Sequence, residues 1–277
     1  MEKTVSRDGT RIAFDRSGQG PALILVDGAL CYRASGPSGP LAAALAKHFT
    51  VFTYDRRGRG DSGDRAPYAV DREVDDIEAL IREAGGNAFL YGVSSGAALA
   101  LEAASRGLPV SSLAMYEAPF IVDDSRPPIT DEVMSRLDQA LAAGRRGDAV
   151  KLFMKQVGVP AVFIALMRFM PAWSKLTAVA HTLPYDFTIV KDYQKGTPLP
   201  ATPWAGATMP TLVMDGGKSP AWMRNAMRSL AAVLPNATYR TLEGQTHMIA
   251  AKAHVGPLVD FFSGSARSVE PASAHST

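Results

Sequence analysis

Residues 89–104 read FLYGVSSGAALALEAA, and within them Gly92-Val93-Ser94-Ser95-Gly96 match G-x-S-x-G, with Ser94 at the middle position. What surrounds it makes that serine a candidate nucleophile. The apolar run ending at Tyr91 reads as a strand, and the small residues that follow Gly96 read as a helix. A sharp strand-to-helix turn forces its central residue to positive φ and needs little bulk two residues to either side, which Gly92 and Gly96 supply. The serine side chain then projects above the carboxyl edge of the sheet, where the helix N-terminus offers free N–H groups to a developing oxyanion. In that arrangement Ser95 contributes its backbone N–H and not its hydroxyl. The plainer alternative for Ser94 is a helix N-cap beside a tight turn.

A serine hydroxyl needs a base. Of the five histidines, His247 in LEGQTHMI is best placed, in a loop after the last strand-like run and on the same edge as Ser94. His48 precedes a strand, His181 lies in a helical stretch, His254 in or near the final helix, and His275 in the tail. Ser94 and His247 therefore stand or fall together.

The elements that must hold these residues alternate along the first half of the chain. Runs 11–18, 22–28, 50–55 and 88–92 are extended, while 41–49 and 70–86 have helical spacing. The runs ALILV and AFLYG are apolar on both faces, as strands covered by helices on each side must be, which implies a mostly parallel sheet. The alternation resumes at 210–216, 219–234, 237–244 and 255–263. Strand signals vanish between about 120 and 205, where helical stretches follow one another between Pro and Gly. We expect a core of residues 1–119 and 206–264, a helical insertion at 120–205, and a disordered tail at 265–277.

Composition narrows the function classes. The 277 residues are 47% hydrophobic and 20% charged, ordinary for a globular chain, and the net charge of +2 comes from scattered basic residues. Without a basic block no nucleic-acid partner is expected; a small molecule fits better. The single cysteine, Cys31, allows no internal disulfide and no thiolate-rich metal site. The N-terminal residues lack an apolar signal-like stretch, and no apolar run approaches the ~20 residues of a membrane span. The chain reads as cytoplasmic.

Taken in order, VDGAL, YDRRGRGDSG, YGVSSGAALALEAA, PTLVMDGG and GQTHMI resemble the α/β-hydrolase superfamily across nearly the whole chain outside the insertion and tail. The resemblance implies an eight-stranded, mostly parallel sheet with helices on both faces, a helical cap over the active site, and a Ser-acid-His triad in that chain order. It also exposes two departures. Members commonly carry the acid after the seventh strand in a G-x-x-D loop, where this chain has Ser219. Others, among them the haloalkane dehalogenases, carry it after the sixth strand, and here Glu117 directly follows the apolar run LAMY. Glu117 is accordingly the first choice, with Asp123, Asp124 and Asp215 as alternatives. Where the family often reads His-Gly in the oxyanion loop, this chain reads Asp27-Gly28-Ala29. The group required is a backbone N–H, assigned to Ala29 and paired with that of Ser95.

The remaining residues read mostly as structure. Asp27 fits a hydrogen bond to neighbouring loops, Cys31 a small buried filler, and the arginines of YDRRGRGDSGD a structural turn. In the insertion, Phe153, Met154, Phe163, Ile164, Leu166, Met167, Phe169, Met170 and Trp173 are expected to form a small lid core, some of them facing an apolar pocket. His181, Tyr185 and Asp186 are weaker candidates for orienting a substrate. The expected function is a serine hydrolase of small, largely apolar carboxylic esters, or of lactones or amides, that needs no metal or organic cofactor. The alternatives are C–C hydrolysis, perhydrolysis or acyl transfer on the same triad, or a ligand-binding protein without turnover.

Overall fold

The structure is a computed structural model and describes residues 1–269. Its strands are β1 (Glu2–Val5), β2 (Arg11–Ser17), β3 (Ala22–Val26), β4 (Thr50–Tyr54), β5 (Ala88–Val93), β6 (Val110–Tyr116), β7 (Thr211–Gly216) and β8 (Ala237–Leu242). They form one eight-stranded sheet in the order β1-β2-β4-β3-β5-β6-β7-β8. The β1–β2 and β2–β4 pairs are antiparallel, and every other pairing is parallel. Strand β1, short and polar, carries too little periodicity to stand out in the sequence.

Successive residues of a strand face opposite sides, and β3 shows why the sheet needs two helical layers. Leu23 and Leu25 pack with Leu41 and Leu45 of α1 (Ser38–Leu45) and with Leu258 and Phe262 of α10 (Ala251–Val269). Ile24 and Val26 face the other way, among side chains of α2 (Val70–Glu83), α3 (Ser95–Ser105) and α9 (Ala221–Val233). Helix α2 shows how local signals set its ends. Asp71 and Glu73 lie in its first turn, Arg82 in its last, and Gly85 and Gly86 follow with φ of 93° and 95°.

Between β6 and β7 run α4 (Asp131–Ala142), α5 (Arg146–Gln156), α6 (Ala161–Met167), α7 (Ala172–Ala178) and α8 (Leu183–Val190). Leu137, Val150, Leu183 and Phe187 form a small cluster of their own, joined by Leu30 from the loop after β3. The later part of the segment packs elsewhere: Ile189, Val190, Leu199 and Trp204 belong to the core under the sheet. Four of the nine apolar residues expected to form the core of this segment lie outside it. Phe163, Leu166, Phe169 and Met170, on and just after α6, are exposed, while Ile164 is buried and Phe153, Met154 and Trp173 border the cluster.

The C-terminal expectation also changes. Helix α10 runs to Val269, past the boundary expected at 264, and the Ser265 hydroxyl donates to the Phe261 carbonyl one turn back, which lets a serine ride within a helix. Residues 270–277, including His275, lie outside the described residues. Among the described residues, no helix is long and apolar enough to cross a membrane.

Candidate active site

Strand β5 is buried along its whole length and ends at Val93. The next residue, Ser94, has φ 56° and ψ −129°, and α3 begins immediately after it. A non-glycine residue holds such a conformation only where its surroundings impose it. Here they do. A Cβ on Gly92 would lie 2.5 Å from the Gly96 carbonyl, and one on Gly96 would lie 2.2 Å from that of Val26. The Ser94 N–H donates to the Tyr116 carbonyl at 2.9 Å, tying the turn to the end of β6. Gly28 abuts the other side, where an added Cβ would meet Ser94 Cβ at 2.9 Å.

The carboxyl ends of β6, β7 and β8 bring the other groups to the same edge. Glu117, the residue after β6, is fully buried and also has a positive φ, 50°. Its Oε1 accepts the Gly216 N–H at 2.8 Å, and its Oε2 lies 2.8 Å from His247 Nδ1. The Tyr116 hydroxyl donates to the Thr246 carbonyl at 2.6 Å and so anchors the loop that carries His247. A side chain at Gly216 would strike both this hydroxyl and the Gln245 carbonyl. The alternative acids face elsewhere. Asp215 accepts from Tyr239, Asp123 accepts from Ser125 and Asn225, and Asp124 is exposed.

The loop after β3 is held from beneath by charge. Arg59 Nη1 donates to the carbonyls of Gly28 (2.7 Å) and Cys31 (3.1 Å), and Arg56 Nη1 to that of Asp27 (3.3 Å). Both guanidiniums converge on Asp186 of α8 at 2.7 Å, and Asp186 Oδ1 also accepts the Ser95 hydroxyl at 2.7 Å. Burial opposes the charge of Asp186, yet Arg59 and Arg56 together hold its carboxyl below the usual range. Arg57 pairs with Asp76, so all three arginines of the turn are buried and partnered. Asp27 accepts the Ser38 hydroxyl at 2.7 Å, and burial pushes its carboxyl up to about 6. Burial, with the Asp27 charge adding to it, pushes the Cys31 thiol up to about 12, which leaves it protonated and a poor nucleophile.

Comparison with known proteins places this arrangement. Residues 23–255 match the model of the Alpha/beta hydrolase family. The chain belongs to the alpha/beta hydrolase family. A crystal structure of an alpha/beta hydrolase from Sphaerobacter thermophilus is 54% identical, covering 94% of this chain and 100% of that one, with a TM-score of 0.87. The enol-lactonase from Burkholderia xenovorans is similar in fold at 22% identity, covering 95% of this chain and 100% of its own, with a TM-score of 0.69. A thermophilic esterase from Thermogutta terrifontis is similar at 18% identity, covering 98% and 99%, with a TM-score of 0.64.

In this alpha/beta hydrolase, Ser94, His247, Ala29 and Ser95 line one pocket with residues from the insertion and α9. Its apolar wall includes Ile129, Phe153, Val157, Phe187 and Met223. Of the HTLPYDF stretch only Asp186 and Phe187 reach the pocket, and both Asp186 oxygens are already engaged. Tyr185 instead donates to Asp64, and His181 is not part of the wall. Sequence reasoning passed over Arg126, Gln156, Gln194 and Trp222, which supply the pocket's polar and aromatic remainder. Arg126 stood near the start of the stretch where strand signals vanish, and nothing in its spacing marked it.

Proposed function

We propose that this hydrolase cleaves a small carboxylic ester, or a lactone as a cyclic ester, through an acyl-enzyme on Ser94. The observation that carries this reading is the Glu117–His247 contact of 2.8 Å, with His247 and a serine of positive φ lining the same pocket. Glu117 keeps the proton of His247 on Nδ1, leaving Nε2 free to take the Ser94 proton as Oγ attacks the carbonyl carbon. The oxyanion so formed takes hydrogen bonds from the N–H groups of Ala29 and Ser95. As the first residue of α3, Ser95 carries one of the N–H groups that a helix leaves without an internal partner. The imidazolium then protonates the leaving alcohol. A water, deprotonated by His247, attacks the acyl carbon and releases the acid. Residues 120–205 act as a cap whose inner face supplies the apolar wall, and the partner is a small molecule.

Incubation with a serine-directed fluorophosphonate, followed by intact mass and peptide mapping, tests the core of this reading. One adduct per chain is expected on the peptide containing Ser94, absent in Ser94→Ala and strongly slowed in His247→Ala. Ester turnover should fall by about 10³-fold or more in either variant. A folded protein that takes no adduct on Ser94 would be a ligand-binding member of the family without this chemistry.

A further inference from the structure

Among the described residues, one cation in the pocket lacks a counter-charge. Arg56 and Arg59 are matched by Glu73 and Asp186, and the pocket face of that network is a carboxylate already claimed by both arginines. Arg126 differs. It sits in the loop between β6 and α4, lines the same cavity as Ser94 and His247, and forms no ion pair among the described residues. Its guanidinium stacks on the Trp222 ring at 4.3 Å and donates from Nη2 to the Gln156 carbonyl, so it is held in place from α9 and α5. Desolvation alone acts on its pKa, pulling it below the usual arginine value, and no carboxylate offsets that cost. An arginine remains charged in such a site and presents a planar fork of donors that matches a carboxylate. Stacking of one face on Trp222 and the single bond from Nη2 leave Nε and Nη1 without a hydrogen-bond partner among the described residues. The nearby acids cannot fill the role, because Asp123 is engaged by Ser125 and Asn225 and Asp124 is exposed.

From this geometry we infer that Arg126 binds a carboxylate carried by the substrate at a distance from the scissile ester, so that the substrate class is a half-ester of a dicarboxylic acid or a lactone of a hydroxy-dicarboxylic acid. The inference rests on the hydrolase reading above and narrows it. Apolar walls at Ile129, Phe153 and Val157 suit the methylene chain between the two ends, and Trp222 fixes the plane of the fork.

The test pairs monoethyl with diethyl esters of glutaric, adipic and pimelic acids, and compares kcat/KM by ethanol release for wild type, Arg126→Met and Arg126→Lys. The wild type should favour the half-ester at one chain length. Arg126→Met should lower the ratio of half-ester to diester by about 10- to 100-fold, chiefly through KM, with Arg126→Lys intermediate. A second readout needs no turnover: free adipate or pimelate should slow phosphonylation of Ser94 in wild type and not in Arg126→Met. Diester preference in wild type at every length, or equal loss on both esters with protection unchanged, would make Arg126 merely a tie between loop and α5. Failure of the wild type to label Ser94 at all would instead overturn the hydrolase reading and this inference with it.

Discussion

Each oxygen of the Glu117 carboxylate has its own partner, the Gly216 N–H on one side and His247 Nδ1 on the other, and the backbone at φ 50° aims it there. That division makes Glu117→Gln informative. An amide whose oxygen keeps the Gly216 N–H must present its NH2 to His247, which favours the tautomer with its proton on Nε2, unable to accept the proton of Ser94. We expect kcat to fall by about 10²- to 10⁴-fold with little change in Tm. Stopped-flow turnover and a thermal melt of the same preparation check this, and wild-type turnover would remove Glu117 from the triad. The resemblance to family members that carry the acid after the sixth strand pointed to this residue, where a carboxylate follows an apolar run. It left Asp123, Asp124 and Asp215 open, because carboxylates near neighbouring strand ends look alike until side-chain direction is known. Asp215 lies in β7 itself and turns to Tyr239 on the adjacent strand.

At the scale of elements, Asp186 is the knot. It joins α8 of the insertion to Ser95 at the start of α3 and, through Arg56 and Arg59, to the turn after β4 and the loop after β3. Removing its charge leaves two buried guanidiniums short of a counter-ion. Breaking a buried pair in this way costs about 3 kcal/mol or more. For a chain of this size that corresponds to a Tm lower by roughly 6–12 °C in Asp186→Asn, read by calorimetry. Below the melt, kcat should fall more than KM rises, since Ser95 and the Gly28–Cys31 loop lose a common anchor. An unchanged Tm and kcat would mean that each element holds its place alone. The arginine cluster was legible as a structural turn, and so it is. Its partner in α8 was not, since Arg56 and Arg59 lie 130 and 127 positions from Asp186 and nothing local links them.

For the molecule as a whole, Asp27 couples folding to pH. Its carboxyl is fully buried and titrates near 6 in the folded chain, against 3.8 for the ordinary group. The native state therefore holds a proton that the unfolded chain has released, so this contribution to stability is complete below pH 3.8 and is lost as pH rises through 6. The loss amounts to roughly 3 kcal/mol, and Asp27→Asn should not suffer it. Urea titrations of both proteins between pH 4 and 8 should show the variant gaining on wild type as pH rises. Parallel curves would mean that Arg56 and Arg59 keep Asp27 ionised in the fold. The sequence by itself marked the candidate nucleophile, the tight turn that carries it, the candidate base and the alternation of strand and helix, since apolar periodicity and the glycines of a strained turn are local requirements. Only the tertiary structure decided which carboxylate stands against His247, which one neutralises the buried arginines, and that Arg126 lines the pocket without one among the described residues. Those outcomes depend on where side chains far apart in the chain point once the sheet has brought them to one edge.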